Sequence, residues 1–118
     1  MCIRTALPPV AGLALLLIAC GDSLPPPTDA WAAAQADVGR AQAGGAPSVP
    51  EAKLHLQLAE EDLKKSKELM NQDNRRSTSL VEVARAEARL ALSMANAEAA
   101  QGVLRKAQED LQKSKGAQ

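Results

Sequence analysis

Few side chains in this 118-residue chain carry chemistry of their own. The candidates are the thiols of Cys2 and Cys20, the single histidine His55, and a run of cations, Lys64, Lys65, Lys67, Arg75 and Arg76. His55 lies on one line of a helix with Asp62, two turns further on, a pairing that suits acid–base work or part of a metal site. A metal centre takes three or four ligands of this type, and no second histidine exists. The pair therefore reads as two polar groups solvating each other at the edge of a core, with no metal assigned. The cations gather around a turn between two helices. The lysines suit a helix C-terminus, where positive charge opposes the dipole. Arg75 and Arg76 sit at a helix start instead, and that misfit suggests an anionic partner, either a phosphate-bearing polymer or an acidic protein face. A solvated tip is the simpler account. No glycine-rich phosphate loop, nucleophile motif or pair of buried acids is present, so no catalytic residue is named.

Cys20 stands apart because of what precedes it. Met1–Thr5 carries one charge, Arg4, and Ala6–Ile18 is apolar apart from Pro8 and Pro9. The unbroken part, Ala11–Ile18, is far shorter than the roughly 20 residues a transmembrane helix needs. It has the layout of a signal peptide. The run closes on Leu17-Ile18-Ala19-Cys20-Gly21, which resembles the bacterial lipobox. The resemblance implies a signal over residues 1–19, cleavage between Ala19 and Cys20, a diacylglyceryl thioether on Cys20, and acylation of the new amine by a chain such as palmitate. Two or three acyl chains make a stable membrane anchor. Gly21, rather than Asp, follows the cysteine, which in such families implies the outer membrane, facing the periplasm. Cys2 leaves with the signal, so no thiol remains for a disulfide or a metal. The covalent lipid is the only prosthetic group expected.

Composition narrows the partners. Loss of Arg4 with the signal leaves a net charge of about −1, from equal numbers of cations and anions in the whole chain. Nucleic-acid binding rests on many Lys/Arg–phosphate contacts and on aromatic stacking platforms. The chain has no Phe, no Tyr and one Trp, Trp31. Nucleic acid is therefore not an expected partner, and nothing points to a small-molecule substrate.

The elements that position these residues are helices. Residues 20–28 form a tether, because Pro25-Pro26-Pro27 imposes extended geometry. Helix 1 spans about residues 29–43, capped by Thr28 or Asp29, with Trp31, Ala34, Val38 and Ala41 on one face and Gly44-Gly45 ending it. Trp31 is expected to pack within the domain rather than sit at a membrane interface. Helix 2 spans about residues 49–70, introduced by the capping-box pattern Ser48-Val49-Pro50-Glu51. One stripe is Ala52, Leu56, Ala59, Leu63, Ser66 and Met70, in heptad spacing. A second is Leu54, Leu58 and Leu69, so helix 2 is expected between two neighbours. A polar turn, Asn71–Asn74, makes helix 3 antiparallel to it.

Helix 3 spans about residues 74–113, capped by Asp73. At 1.5 Å per residue it measures roughly 60 Å against roughly 30 Å for helix 2, so its C-terminal half should overhang. Val83, Leu90, Ala97, Leu104 and Leu111 recur at every seventh position, with Leu80, Ala86, Met94, Ala100 and Ala107 filling in. Such a repeat implies left-handed supercoiling. The opposite stripe is Val81, Ala88, Leu92, Ala95, Ala99 and Val103. One face is expected to pack on helix 2. The second, taken as the interaction stripe, needs helix 1, a second copy or another protein. Alanine-rich faces bury little area, so a lone copy is marginal by the balance of burial against chain entropy.

The opening Ala30–Ala43, the run Ala46–Glu51 and the stretch Leu80–Ala91 resemble a family of small bacterial lipoproteins with a helical domain of unknown function, tetratricopeptide-like in its helical hairpin. The resemblance carries no catalytic residues. The expected whole is all-α: an antiparallel three-helix array over residues 29–118, with a short helix 1 and a long overhanging helix 3 in coiled-coil-like packing. The expected role is a lipid-anchored, non-enzymatic scaffold or adaptor of the bacterial cell envelope that binds a protein partner or itself. The alternative is a binder of peptidoglycan or lipopolysaccharide acting through the basic turn.

Overall fold

The structure, a computed structural model, describes residues 24–117. The expected signal over residues 1–19, Cys20 and the first residues of the expected tether lie outside them. The described residues are all-α: α1 is Thr28–Ala43, α2 is Pro50–Leu69 and α3 is Asn74–Gly116, with one 3-10 turn, Ala46–Ser48, between α1 and α2. Chain direction follows from the contacts. Ser66 of α2 bonds Ser77 of α3, while His55 bonds Glu87, so these two helices are antiparallel. The indole N–H of Trp31 donates to the Leu63 carbonyl at 3.1 Å. Gly44, at the other end of α1, abuts Leu92 of α3. Helix α1 therefore runs against α2 and alongside α3, in a three-helix array.

The three helices meet through alanine. The core is Ala34, Val38 and Ala41 from α1, Ala46 from the connecting turn, Ala52, Leu56, Ala59 and Leu63 from α2, and Val81, Ala84, Ala88, Ala91 and Ala95 from α3. Side chains this short let helix axes approach to the lower end of the usual 8–10 Å range. Close approach leaves no room for leucine on the α3 side. The stripe assignment on α3 is corrected accordingly. Val81, Ala88 and Ala95, expected on an interaction stripe, are buried inside the array, and Leu92 is half-buried against it. Of that stripe only Ala99 and Val103 are exposed. The sevenfold column expected to pack is the one left outside, Val83 at 47 % and Leu90 at 42 % exposure.

On α2 the stripe Ala52–Leu63 and Ser66 is buried as its spacing requires. The second group is not covered by a neighbour: Leu54 and Leu58 are exposed and Leu69 half-buried. Trp31 is half-buried against the core, with the Lys67 ammonium 5.2 Å from the ring centroid. Packing accounts for it.

The caps differ from the sequence reading in two places. Pro27 takes the N-cap position of α1 and accepts the Trp31 N–H through its carbonyl at 2.9 Å, so neither Thr28 nor Asp29 caps. Ser48 lies in the 3-10 turn and Val49 takes the N-cap of α2 with no side-chain bond, so the Ser48–Glu51 box does not form. The carbonyl of Gly45, in the left-handed region at φ 89°, accepts from the Ser48 N–H and holds Ser48 in that turn. Asp73 does cap α3, its carboxylate accepting from the Arg76 N–H at 3.0 Å.

Buried contact ends at Ala95. From residue 96 to the end of α3 no residue is buried. About 21 residues at 1.5 Å each project roughly 30 Å beyond the array, the overhang that helix length alone implied.

Candidate functional site

Two polar constellations join the helices. Both were assembled by the fold. Asp37 of α1 is buried, its side chain 4 % exposed. One carboxylate oxygen accepts from Arg40 at 2.6 Å, while the other accepts from Arg85 of α3 at 3.2 Å and lies 3.4 Å from Arg89. A buried carboxylate is tolerated when charged donors surround it, and here three guanidiniums do. The arrangement ties α1 to α3 in one register. The signal in the sequence was an acid among Ala34, Val38 and Ala41 on the apolar face of helix 1.

The second constellation is His55 Nδ1 with Glu87 Oε2 at 2.5 Å, each side chain a quarter exposed. The expected partner of His55, Asp62, is not its partner. Residues seven apart on one helix sit two turns, roughly 10 Å, apart, whereas Glu87 comes directly across from α3. Asp62 instead lies 4.0 Å from Lys65. Among the described residues no group of three or more His, Cys, Asp or Glu is arranged to hold a metal.

At the base of the array, Ser66 and Ser77 face each other, buried, with hydroxyls 3.0 Å apart. Each also donates to the other's backbone carbonyl, at 3.1 and 2.9 Å. Among the described residues no buried side-chain N or O lacks a partner. The polar groups therefore satisfy one another and none is aimed at an open cavity. A shallow cleft between α1 and α2 is lined by Trp31, Gln35, Gln42, Glu60 and Lys64 among others, with Gln42 bonded to Glu60 at 2.7 Å.

The basic turn is accompanied by acids. Lys65 lies 3.6 Å from Glu61, Lys67 sits over Trp31, and Lys64 shares its surface with Glu60 and Glu61. Arg75 and Arg76 are exposed beside the capping Asp73. The tether comes in at this same end, where the Asn74 side-chain amide donates to the Leu24 carbonyl at 2.6 Å.

The exposed apolar side chains of α3 follow one line. The sevenfold column of α3 continues from the array onto the overhang, with Leu104 at 62 % and Leu111 at 61 % exposure and Val103 beside them at 70 %. Ala97, Ala100 and Ala107 are exposed on the same stretch. Sequence spacing identifies the column but assigns it to the packed side, with Val103 on the opposite stripe. No protein-family model matches the chain, and neither a curated protein nor a solved structure matches it.

Proposed function

We propose that this chain is a lipid-anchored, non-enzymatic helical adaptor of the bacterial cell envelope, which holds the outer half of α3 out from the membrane for a helical protein partner. The observation that carries the reading is the uncovered column ending in Leu104 and Leu111, on a helix that has left its own bundle. Most helical stability in proteins comes from tertiary packing, which the outer part of α3 lacks, and a partner helix seated on the column would supply the missing burial. The lipobox-like Leu17–Gly21 supports the anchor on Cys20, and Gly21 after the cysteine favours the periplasmic face of the outer membrane. With the tether joining beside Asn74, α3 points from the anchored end outward. The reach from that end to the tip of α3 is about 65 Å, from 43 residues at 1.5 Å each.

The test uses the full chain in a Gram-negative host. A clickable palmitate analogue should label it in the membrane fraction, and Cys20→Ser should abolish the label and the membrane association together. A photo-crosslinking residue at Leu104 should give a protein adduct that the same residue at Glu109 does not. Membrane association that survives Cys20→Ser, or no adduct from position 104, would reject the reading.

A further inference from the structure

The reading above leaves the occupant of the α3 column open, and the inference here rests on it. We infer that the occupant is a second copy of this chain, its α3 lying parallel and in register along the first. The sevenfold column gives one seam position, Val83, Leu90, Ala97, Leu104 and Leu111. Three residues on from each lie Ala86, Ser93, Ala100, Ala107 and Ser114, and every one of them is exposed. Together they form a continuous two-position seam of the coiled-coil type, large at Val83, Leu90, Leu104 and Leu111 and small at the other positions. A helix with this seam is complementary to itself.

The flanking residues select the direction. In a parallel in-register pair, the residue just before each large seam position faces, on the other copy, the residue five further on. Asp110 then meets Lys115 of the second copy, and Lys115 meets its Asp110. Asn96 meets Gln101 and Val103 meets Gln108, which are neutral. The order breaks down only at the array, where Glu82 would face Glu87, already held by His55 at 2.5 Å. Pairing is therefore tightest over the overhang. An antiparallel pair confined to the overhang would set Asp110 against Asn96, Val103 or another Asp110, none of them a cation. The parallel arrangement also brings both tethers out at one end, beside each Asn74, so both copies sit on one membrane. Within a copy, Arg105 and Glu98 pair at 3.1 Å on a line beside the seam, and both stay outside it.

The direct test is disulfide trapping in native membranes with full-length Leu104→Cys and Leu111→Cys. In a parallel pair each new thiol lies opposite its own copy, within the ~6 Å Cα separation a disulfide needs. Mild oxidation should convert most of either variant to a homodimer. Wild type, in which Cys2 leaves with the signal and Cys20 carries the lipid, and Glu109→Cys, on the far side of the helix, should stay monomeric. Asp110→Lys should lower trapping about twofold, the scale of an exposed ion pair, and Asp110→Lys with Lys115→Asp should restore it. Leu104→Glu with Leu111→Glu should abolish trapping at Val83→Cys while leaving the array folded, because neither leucine touches it. Monomers at both 104 and 111 would overturn the inference. Trapping only between Leu104→Cys and Ala107→Cys chains would overturn the parallel direction. Fractionation of the same samples reads the lipid anchor separately, so a dimer in the soluble fraction would sink the anchor and spare the pairing.

Discussion

From Asn74 to Ala95, α3 is enclosed along Ser77, Val81, Ala84, Ala88, Ala91 and Ala95, and from Asn96 to Gly116 nothing on it is buried. The residue types in the two halves are alike: alanine-rich, charged, with a leucine or valine at every seventh place except Ala97. What differs is which face has neighbours. In the first half the alanines are the packed face and the leucines look outward. In the second half neither face is covered, so the same outward leucines become the largest apolar feature left. Burial at a helix interface is thus decided by how closely the axes approach, not by which side chains are most hydrophobic.

Substitutions in the enclosed half should hurt folding, and those on the overhang should not. The largest effect is expected at Asp37. Asp37→Ala would remove the shared acceptor of three arginines at the α1–α3 junction. Arg40 and Arg89 are 67 % and 63 % exposed and stay solvated, so the loss is about 1.5–3 kcal/mol, the scale of a hydrogen bond to a charged group. Thermal unfolding should show the loss, and an unchanged midpoint would mean that the cluster contributes nothing net. Next is Ala84→Leu, which inserts bulk at a fully buried position of the core. Overpacking of this kind costs about 1–3 kcal/mol, readable from the urea midpoint. A stable variant would show that the helices can separate to accept leucine. The smallest effect belongs to Leu104→Ala on the overhang. Monomer unfolding should shift by less than about 0.5 kcal/mol, as for other surface positions, and a larger shift at low protein concentration would place Leu104 in contact with the array. Between Ala84 and Leu104 the contrast is sharpest, because the smaller side chain matters more.

The sequence reading and the structure agree on the helices and on the packed stripes of α1 and α2, and disagree on the faces of α3. Proline and glycine carried the boundaries: Pro25–Pro27 before α1, Gly44-Gly45 after it, Pro50 at the first position of α2 and Asp73 capping α3 act through their own backbones or nearest neighbours. Gly44 also has a tertiary reason, since a Cβ there would run into Leu92 and meet the Arg40 carbonyl at 3.0 Å. The faces of α3 were not legible, because apolar positions recur on nearly every side of it and hydrophobic periodicity then has no single direction to report. Partners of polar groups were equally out of reach. His55 had Asp62 on its own helix as the visible candidate, while Glu87, 32 residues away, arrives only when α3 folds back.

By itself the chain determined three helices, their order and turns, the length mismatch that makes α3 overhang, and a lipobox-like pentapeptide at Cys20. Each of these is a local property, set by backbone restriction, capping and the rise per residue. Only the tertiary structure decided that α3 meets the array through alanines rather than its leucines, that Asp37 collects three arginines, and that the heptad column faces out along the whole of α3. Those outcomes depend on the distance between helix axes. That distance is set jointly by side chains from all three helices, and no single stretch of sequence contains it.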